Sequence, residues 1–215
     1  VRKTHNNLFE TIYDFNIKIE IMKENNLTIL SKVLLVIVGT LFITSLFVPM
    51  WRIELDAPQY PEGLVLQLYA NKIGGNVDII NGLNHYIGMA TLHTENFIEF
   101  AVLPYIFSAF ALISIALIFI NNKKAVLTFF VILMTFVILA GIDFYRWNYE
   151  YGHNLDPNAA IKVPGMSYQP PLIGYKQLLN FGAYSIPDIG GWMLTGAGIL
   201  LFAVVLKEFK FKKSI

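Results

Sequence analysis

Two apolar runs separated by four polar residues constrain this chain more than any other feature. Phe100 to Ile120 has about the length that a helix needs to cross a hydrocarbon core of ~30 Å, and Ala125 to Ile142 follows after only Asn121-Asn-Lys-Lys124. A connection that short makes the two runs an antiparallel helical hairpin. Pro104 falls near the start of the first run, where a helix tolerates it. Two further runs stand apart: Val33 to Met50, approached by Lys32 and closed by Trp51-Arg52, and Ile189 to Leu206. The first has the basic approach of a signal peptide but no small-x-small cleavage site, so it reads as an uncleaved anchor. With 55% hydrophobic and 14% charged residues, the chain is far more apolar than a soluble domain.

The fold expected from this pattern is all-α and transmembrane: a four-helix membrane bundle with a small mixed α/β extracytoplasmic module built from two long loops. The spans fall at 33–50, 100–120, 125–142 and 189–206, with a turn at 121–124 and outer loops at 51–99 and 143–188. Residues 1–32 and 207–215 are then cytoplasmic. Lysines and arginines gather on that side (Arg2, Lys3, Lys18, Lys23, Lys32, Lys123, Lys124, Lys207, Lys210, Lys212, Lys213), whereas the longer outer loops hold only Arg52, Lys72, Arg146, Lys162 and Lys176. By the positive-inside rule both termini face the cytoplasm of a bacterial cell, and the loops face the periplasm. The chain starts at Val1, and Met22-Lys-Glu-Asn-Asn precedes the first run, so residues 1–21 read as a start-site extension in which His5 has no role. A net charge of +1 gives no field for nucleic acid; the lipid bilayer is the first partner.

Loops this long are expected to fold. In the first, Trp51 to Leu55 alternates at period two and Leu64 to Tyr69 is apolar and strand-like, which with the turn-rich 57–63 stretch predicts a hairpin or small sheet. Asn81 is then placed to cap a helix running to His93. Gly88, in the middle of that helix, lowers its propensity by about 1 kcal/mol relative to Ala or marks a close neighbour. In the second loop, Asp143 to His153 reads as an extension of the third span with an aromatic belt. The Pro- and aromatic-rich stretch beyond it reads as extended coil packed on the first loop.

On one helix, His85, Met89 and His93 at successive i, i+4 spacings would share a face. Imidazole and thioether together suit copper, Cu(I) especially, and His153 and Met166 lie in the other outer loop as additional candidates. A plainer reading stands beside this: Met89 turned to a core, the histidines at a polar edge, and His153 hydrogen-bonding beside Tyr151 and Asp156. The absence of cysteine removes disulfides, thiolate metal sites and covalent c-type haem. No histidine lies within a span, which disfavours an embedded haem b and leaves His/Met-ligated haem in the outer module open. There is no Walker motif, nucleophile elbow or His-Glu-x-x-His, and no charge at the middle of a span, so an enzyme or a transporter is not expected. Asp143, Arg146 and His153, with the interfacial aromatics, are the residues that an enzyme or quinone-reactive subunit would use.

The segments Pro49-Met-Trp-Arg-Ile-Glu-Leu-Asp-Ala-Pro-Gln-Tyr-Pro-Glu-Gly63, Asn81-Gly-Leu-Asn-His-Tyr-Ile-Gly-Met89 and Tyr168-Gln-Pro-Pro-Leu-Ile-Gly-Tyr-Lys-Gln-Leu-Leu-Asn-Phe181 resemble a poorly characterised family of bacterial inner-membrane proteins. That family is associated with accessory genes for copper enzymes of respiration, nitrous-oxide reductase in particular. The resemblance covers most of 33–206 and identifies no ligand. It implies an accessory protein that binds or delivers copper to, or helps assemble, a respiratory metalloenzyme. The alternative is a non-catalytic structural or assembly subunit of a membrane complex with no metal of its own.

Overall fold

The computed structural model describes residues 25–178 and 181–209. The extension expected at 1–21 and the basic tail from 210 onward lie outside the described residues. In chain order the elements are α1 (Ile29–Ser45), β1 (Trp51–Ala57), β2 (Tyr60–Leu68), β3 (Ile73–Gly75), α2 (Val77–Ile87), a 3-10 turn at Thr94–Asn96, α3 (Ile98–Ile120), α4 (Lys123–His153), β4 (Gly174–Leu178), β5 (Phe181–Pro187) and α5 (Ile189–Glu208).

The all-α, four-helix bundle expected from the apolar runs is overturned. Among the described residues the chain is mixed α/β, with a five-stranded antiparallel sheet and three helices, α3, α4 and α5, long and apolar enough to cross a membrane. The run expected to span at 33–50 supplies only the 17-residue α1, because Leu46 to Met50 leave the helix to feed β1. At 1.5 Å per residue α1 is roughly 25 Å long, short of a hydrocarbon core. In the three long helices only 17 to 28% of the apolar stretch is buried, so most of their side chains face outward, an arrangement that suits lipid far better than water.

What packs inside the helical layer follows from residue spacing. Ser31, Leu35, Val38, Phe42 and Ser45 line one stripe of α1 at alternating four- and three-residue steps, and Ala197, Leu201, Val204 and Glu208 do the same on α5. These are the stripes that let two helices mesh along their length at a shallow angle. Phe110 of α3 is the hub of the layer, with ring centroids 5.4 Å from Phe42 of α1 and 5.8 Å and 5.4 Å from Phe129 and Phe136 of α4. Edge-on contacts of this kind add to the burial of the rings themselves. Ser114 of α3 donates a 2.7 Å hydrogen bond to the Leu35 carbonyl of α1, which keeps its buried hydroxyl satisfied.

The end of the layer remote from the sheet is closed by one carboxylate. Glu208, the last residue of α5, accepts from the Thr28 N–H at 2.9 Å, from the Thr28 hydroxyl at 2.8 Å and from the Ser31 hydroxyl, and pairs with Lys123 at 3.4 Å. Three helix ends therefore meet on one side chain that is 2% exposed. The α3–α4 turn joins the same knot: the Asn121 side chain accepts from the Leu27 N–H at 3.0 Å, and Lys123 N–H donates to the Asn25 carbonyl.

The sheet has the order β3-β2-β1-β5-β4. The hairpin read from the first loop is present as β1–β2. The second loop, read as coil, instead contributes β4 and β5, and β5 pairs with β1 from Trp51↔Pro187 to Asp56↔Gly182. The two loops thus build one sheet. Cross-strand partners share a face, so Ile53, Leu64, Leu66 and Ala183 turn inward together. They are covered by Ile80 of α2, by Leu92, and by the far end of α4, whose Trp147 and Tyr151 stack at 5.1 Å. At 31 residues, α4 is roughly 46 Å long, more than a hydrocarbon core of ~30 Å requires, and its last turns pack onto the sheet.

Replacing Glu208 by Ala should lower stability by about 3 kcal/mol, since it strands Lys123 and the buried Ser31 hydroxyl together. Glu208→Gln, which keeps an oxygen acceptor and loses only the charge, should cost clearly less. Thermal unfolding in detergent reads both; equal effects from the two substitutions would mean that the hydrogen bonds contribute nothing.

Candidate functional site

The helix expected to carry the metal ligands is shorter and begins earlier than its sequence pattern suggests. It runs Val77–Ile87, with Asn76 rather than Asn81 at its start, and ends where Gly88 turns left-handed at φ 79°. Only His85 is on it. Met89 and His93 lie in the extended strap that follows, so the three do not share a helical face. Gly88 is required twice over: its φ disfavours any other residue, and a Cβ there would come within 3.0 Å of the Asp156 backbone. Asn81, one helical turn inside, fixes the strap by accepting from the Leu92 N–H at 2.7 Å and donating to the Leu92 carbonyl at 2.9 Å.

Met89 is buried at 8% exposure, whereas His85 and His93 are exposed. His153, at the end of α4, stacks on Tyr149 at 4.0 Å between centroids, and its Nδ1 lies 2.9 Å from the Tyr149 carbonyl, so Nε2 alone is left for a ligand. Met166 is half-buried in the following loop, its N–H bonded to the Val163 carbonyl. The structure does bring the two loops together here, through Asp156 N–H to the Gly88 carbonyl and Ile161 N–H to the Tyr86 carbonyl, both 2.8 Å. These bonds set the end of α2, where His85 and Met89 lie, beside the loop that follows His153, with His93 further along the strap. Among the described residues, no group of three His, Cys, Asp or Glu side chains is arranged to hold a metal ion. Asp143 and Arg146, the pair that an enzymatic reading would use, form an exposed i, i+3 ion pair at 3.3 Å.

A different feature stands out on the outward face of the sheet. Residues that alternate with the core positions, Glu54 and Asp56 on β1, Val65 on β2, Tyr184 on β5 and Tyr175 on β4, form a shallow concavity of about 300 Å³, with Glu62 at its rim. Tyr175 and Tyr184 are register partners and stand 61% and 40% exposed. Tyr175 lies across Gly182, where a Cβ would sit 2.6 Å from its hydroxyl oxygen, and that hydroxyl is also tied to Gln177. The absence of a side chain at 182 is what lets the ring lie down on the strand. Glu54 pairs with Arg52 at 3.1 Å, while among the described residues no Lys or Arg pairs with Asp56 or Glu62. The outward alternation of Glu54 and Asp56 is visible in the sequence. Tyr175 and Tyr184 are missed there because their strands are masked by flanking Pro, Gly and Asn.

Compared with known proteins, the chain matches no family model, no curated protein and no solved structure.

Behind the strap, the Asn84 amide donates to the Tyr151 hydroxyl at 2.6 Å, joining α2 to α4. Tyr151→Phe removes that acceptor and should cost about 1 kcal/mol. Gly88→Ala should cost more, since it combines an unfavourable φ with collision against backbone that is itself hydrogen-bonded. Thermal unfolding followed by tryptophan fluorescence compares the two; a neutral Gly88→Ala would show that the turn is not fixed as described.

Proposed function

We propose that this chain is a non-catalytic accessory protein of a bacterial inner membrane, and that its sheet module docks a partner during assembly of a membrane complex. The observation that carries this reading is the outward sheet face: two exposed tyrosines laid on the strand surface, on the side of the sheet opposite the one that α2 and the end of α4 cover. Exposed aromatics on a preformed surface are characteristic of protein interfaces. The short links from α1 to β1 and from β5 to α5, tied to each other by the Asp188 N–H to Met50 carbonyl and Gly190 N–H to Pro49 carbonyl bonds, support a fixed relation of that face to the membrane. Lys32, Lys123, Lys124 and Lys207 gather at the helix ends remote from the sheet, which supports a cytoplasmic position for those ends and a periplasmic one for the module. A respiratory metalloenzyme of the nitrous-oxide reductase kind is the partner that the resemblance in sequence implies.

The second reading is capture or delivery of copper by His85, Met89, His93, His153 and Met166. It is favoured by the exposure of all three histidines and by the meeting of their loops at the end of α2, and weakened by the burial of Met89.

Purification from native membranes in mild detergent, with composition and metal content measured together, separates the two. Assembly predicts a stoichiometric protein partner that is lost on Tyr175→Ala/Tyr184→Ala substitution, while the chain still unfolds at its usual temperature. Copper delivery predicts Cu(I) bound near one equivalent and abolished by the His85→Ala/Met89→Ala/His93→Ala triple variant. A chain that runs alone and binds copper in this way would overturn the assembly reading.

A further inference from the structure

Resting on the docking role just proposed, we infer that the concavity on the outward sheet face receives a cationic segment, an extended stretch of the partner that presents Lys or Arg side chains. The walls decide the chemistry. On one side stand the carboxylates Asp56 and Glu62, with no Lys or Arg paired to either among the described residues, and Glu54, whose charge is shared with Arg52. On the other side are the rings of Tyr175 and Tyr184, and no cationic side chain lines the space. An aromatic face beside a carboxylate is the pairing that holds a guanidinium or ammonium group: the ring quadrupole attracts the cation, and the carboxylate accepts its hydrogen bonds. Tyr175 is fixed over Gly182, so little freedom of that ring is lost on binding. An anionic or purely aliphatic partner would meet uncompensated carboxylates, and so is disfavoured by the same walls.

The position agrees with an occupant approaching from the aqueous phase. β1 leaves the helical layer at Trp51 and runs on to Asp56, roughly 17 Å at strand rise, so the concavity lies toward the end of β1 remote from α1 and α5, on the face opposite the one that α2 and the last turns of α4 cover. The antiparallel neighbours β1 and β5 keep Asp56 opposite Gly182, which places the carboxylate beside the Tyr175 platform.

The test uses the full chain in nanodiscs of zwitterionic lipid, with a fluorescein-labelled tri-arginine peptide flanked by glycines and the same peptide carrying citrulline, which keeps the shape of arginine without its charge. The arginine peptide should bind at least about 5-fold more tightly than the citrulline peptide, and the preference should fall as salt is raised. Asp56→Asn/Glu62→Gln, which preserves side-chain size, should weaken arginine-peptide binding by about 5-fold, and Tyr175→Leu by a similar factor. Equal binding of the two peptides, or an Asp56→Asn/Glu62→Gln variant that binds as the parent does, overturns the inference. If that variant still co-purifies with the partner, docking is through another surface and only the cationic segment is refuted. If the parent itself yields no partner, the assembly reading falls, and the peptide comparison still decides whether the concavity takes cations.

Discussion

The pairing of β1 with β5 is the interaction on which the rest of the architecture depends. It joins the two long loops, and it also continues the helical layer, because α1 leads into β1 through residues 46–50 and β5 leads into α5. At the junction the Asp188 N–H donates to the Met50 carbonyl at 3.0 Å, the Gly190 N–H to the Pro49 carbonyl at 2.8 Å, and the Met50 N–H to the Leu68 carbonyl of β2 at 2.8 Å. The backbone groups exposed where a helix pair becomes a strand pair are thereby satisfied across the junction, which an apolar surrounding demands. The helix pair is also tied at its opposite end, by Glu208 to Thr28 and Ser31. With both ends fixed, α1 and α5 form the spine to which the α3–α4 hairpin and the sheet attach.

Much of the helical layer is legible in the sequence because apolar runs and their breaks are local signals. The short Asn121–Lys124 connection announces the α3–α4 hairpin, and Trp51 to Leu55 announces a strand by alternation alone. What sequence could not reveal depends on partners distant in the chain. Leu46 to Met50 are as apolar as the helix before them, yet leave it because β1 must begin at Trp51 opposite Pro187. The stretch around Tyr175 and Tyr184 looks like coil because Gly174 and Gly182 dilute the pattern, and it becomes strand through pairing with β1. Gly88 carried the clue to the end of α2: the sequence marks it as a weak point, and the structure makes it the end of the helix, pressed against Asp156.

The same contrast separates the two candidate sites. Spacing along the chain drew attention to His85, Met89 and His93, but i, i+4 spacing has chemical meaning only where the helix persists, and it stops after Ile87. The outward concavity has no sequence motif. It assembles from four strands whose alternation sends Ile53 and Ala183 to the core and Glu54, Asp56 and Tyr184 to the surface, so that the packing which builds the core also determines which side chains meet outside.

The register Trp51↔Pro187 has a kinetic meaning as well. The central strand pair joins segments separated by roughly 130 residues of chain, a contact of very high sequence separation that forms slowly. Until β5 is synthesised, the inner edge of β1 has no strand beside it, and the Trp51 indole, which donates at 2.8 Å to the Ser185 hydroxyl in the finished fold, has no partner there. The α3–α4 hairpin, built from local contacts, can precede this step. Until then the β1–β2 hairpin is an open template for strand addition, and closing that edge is the work of β5.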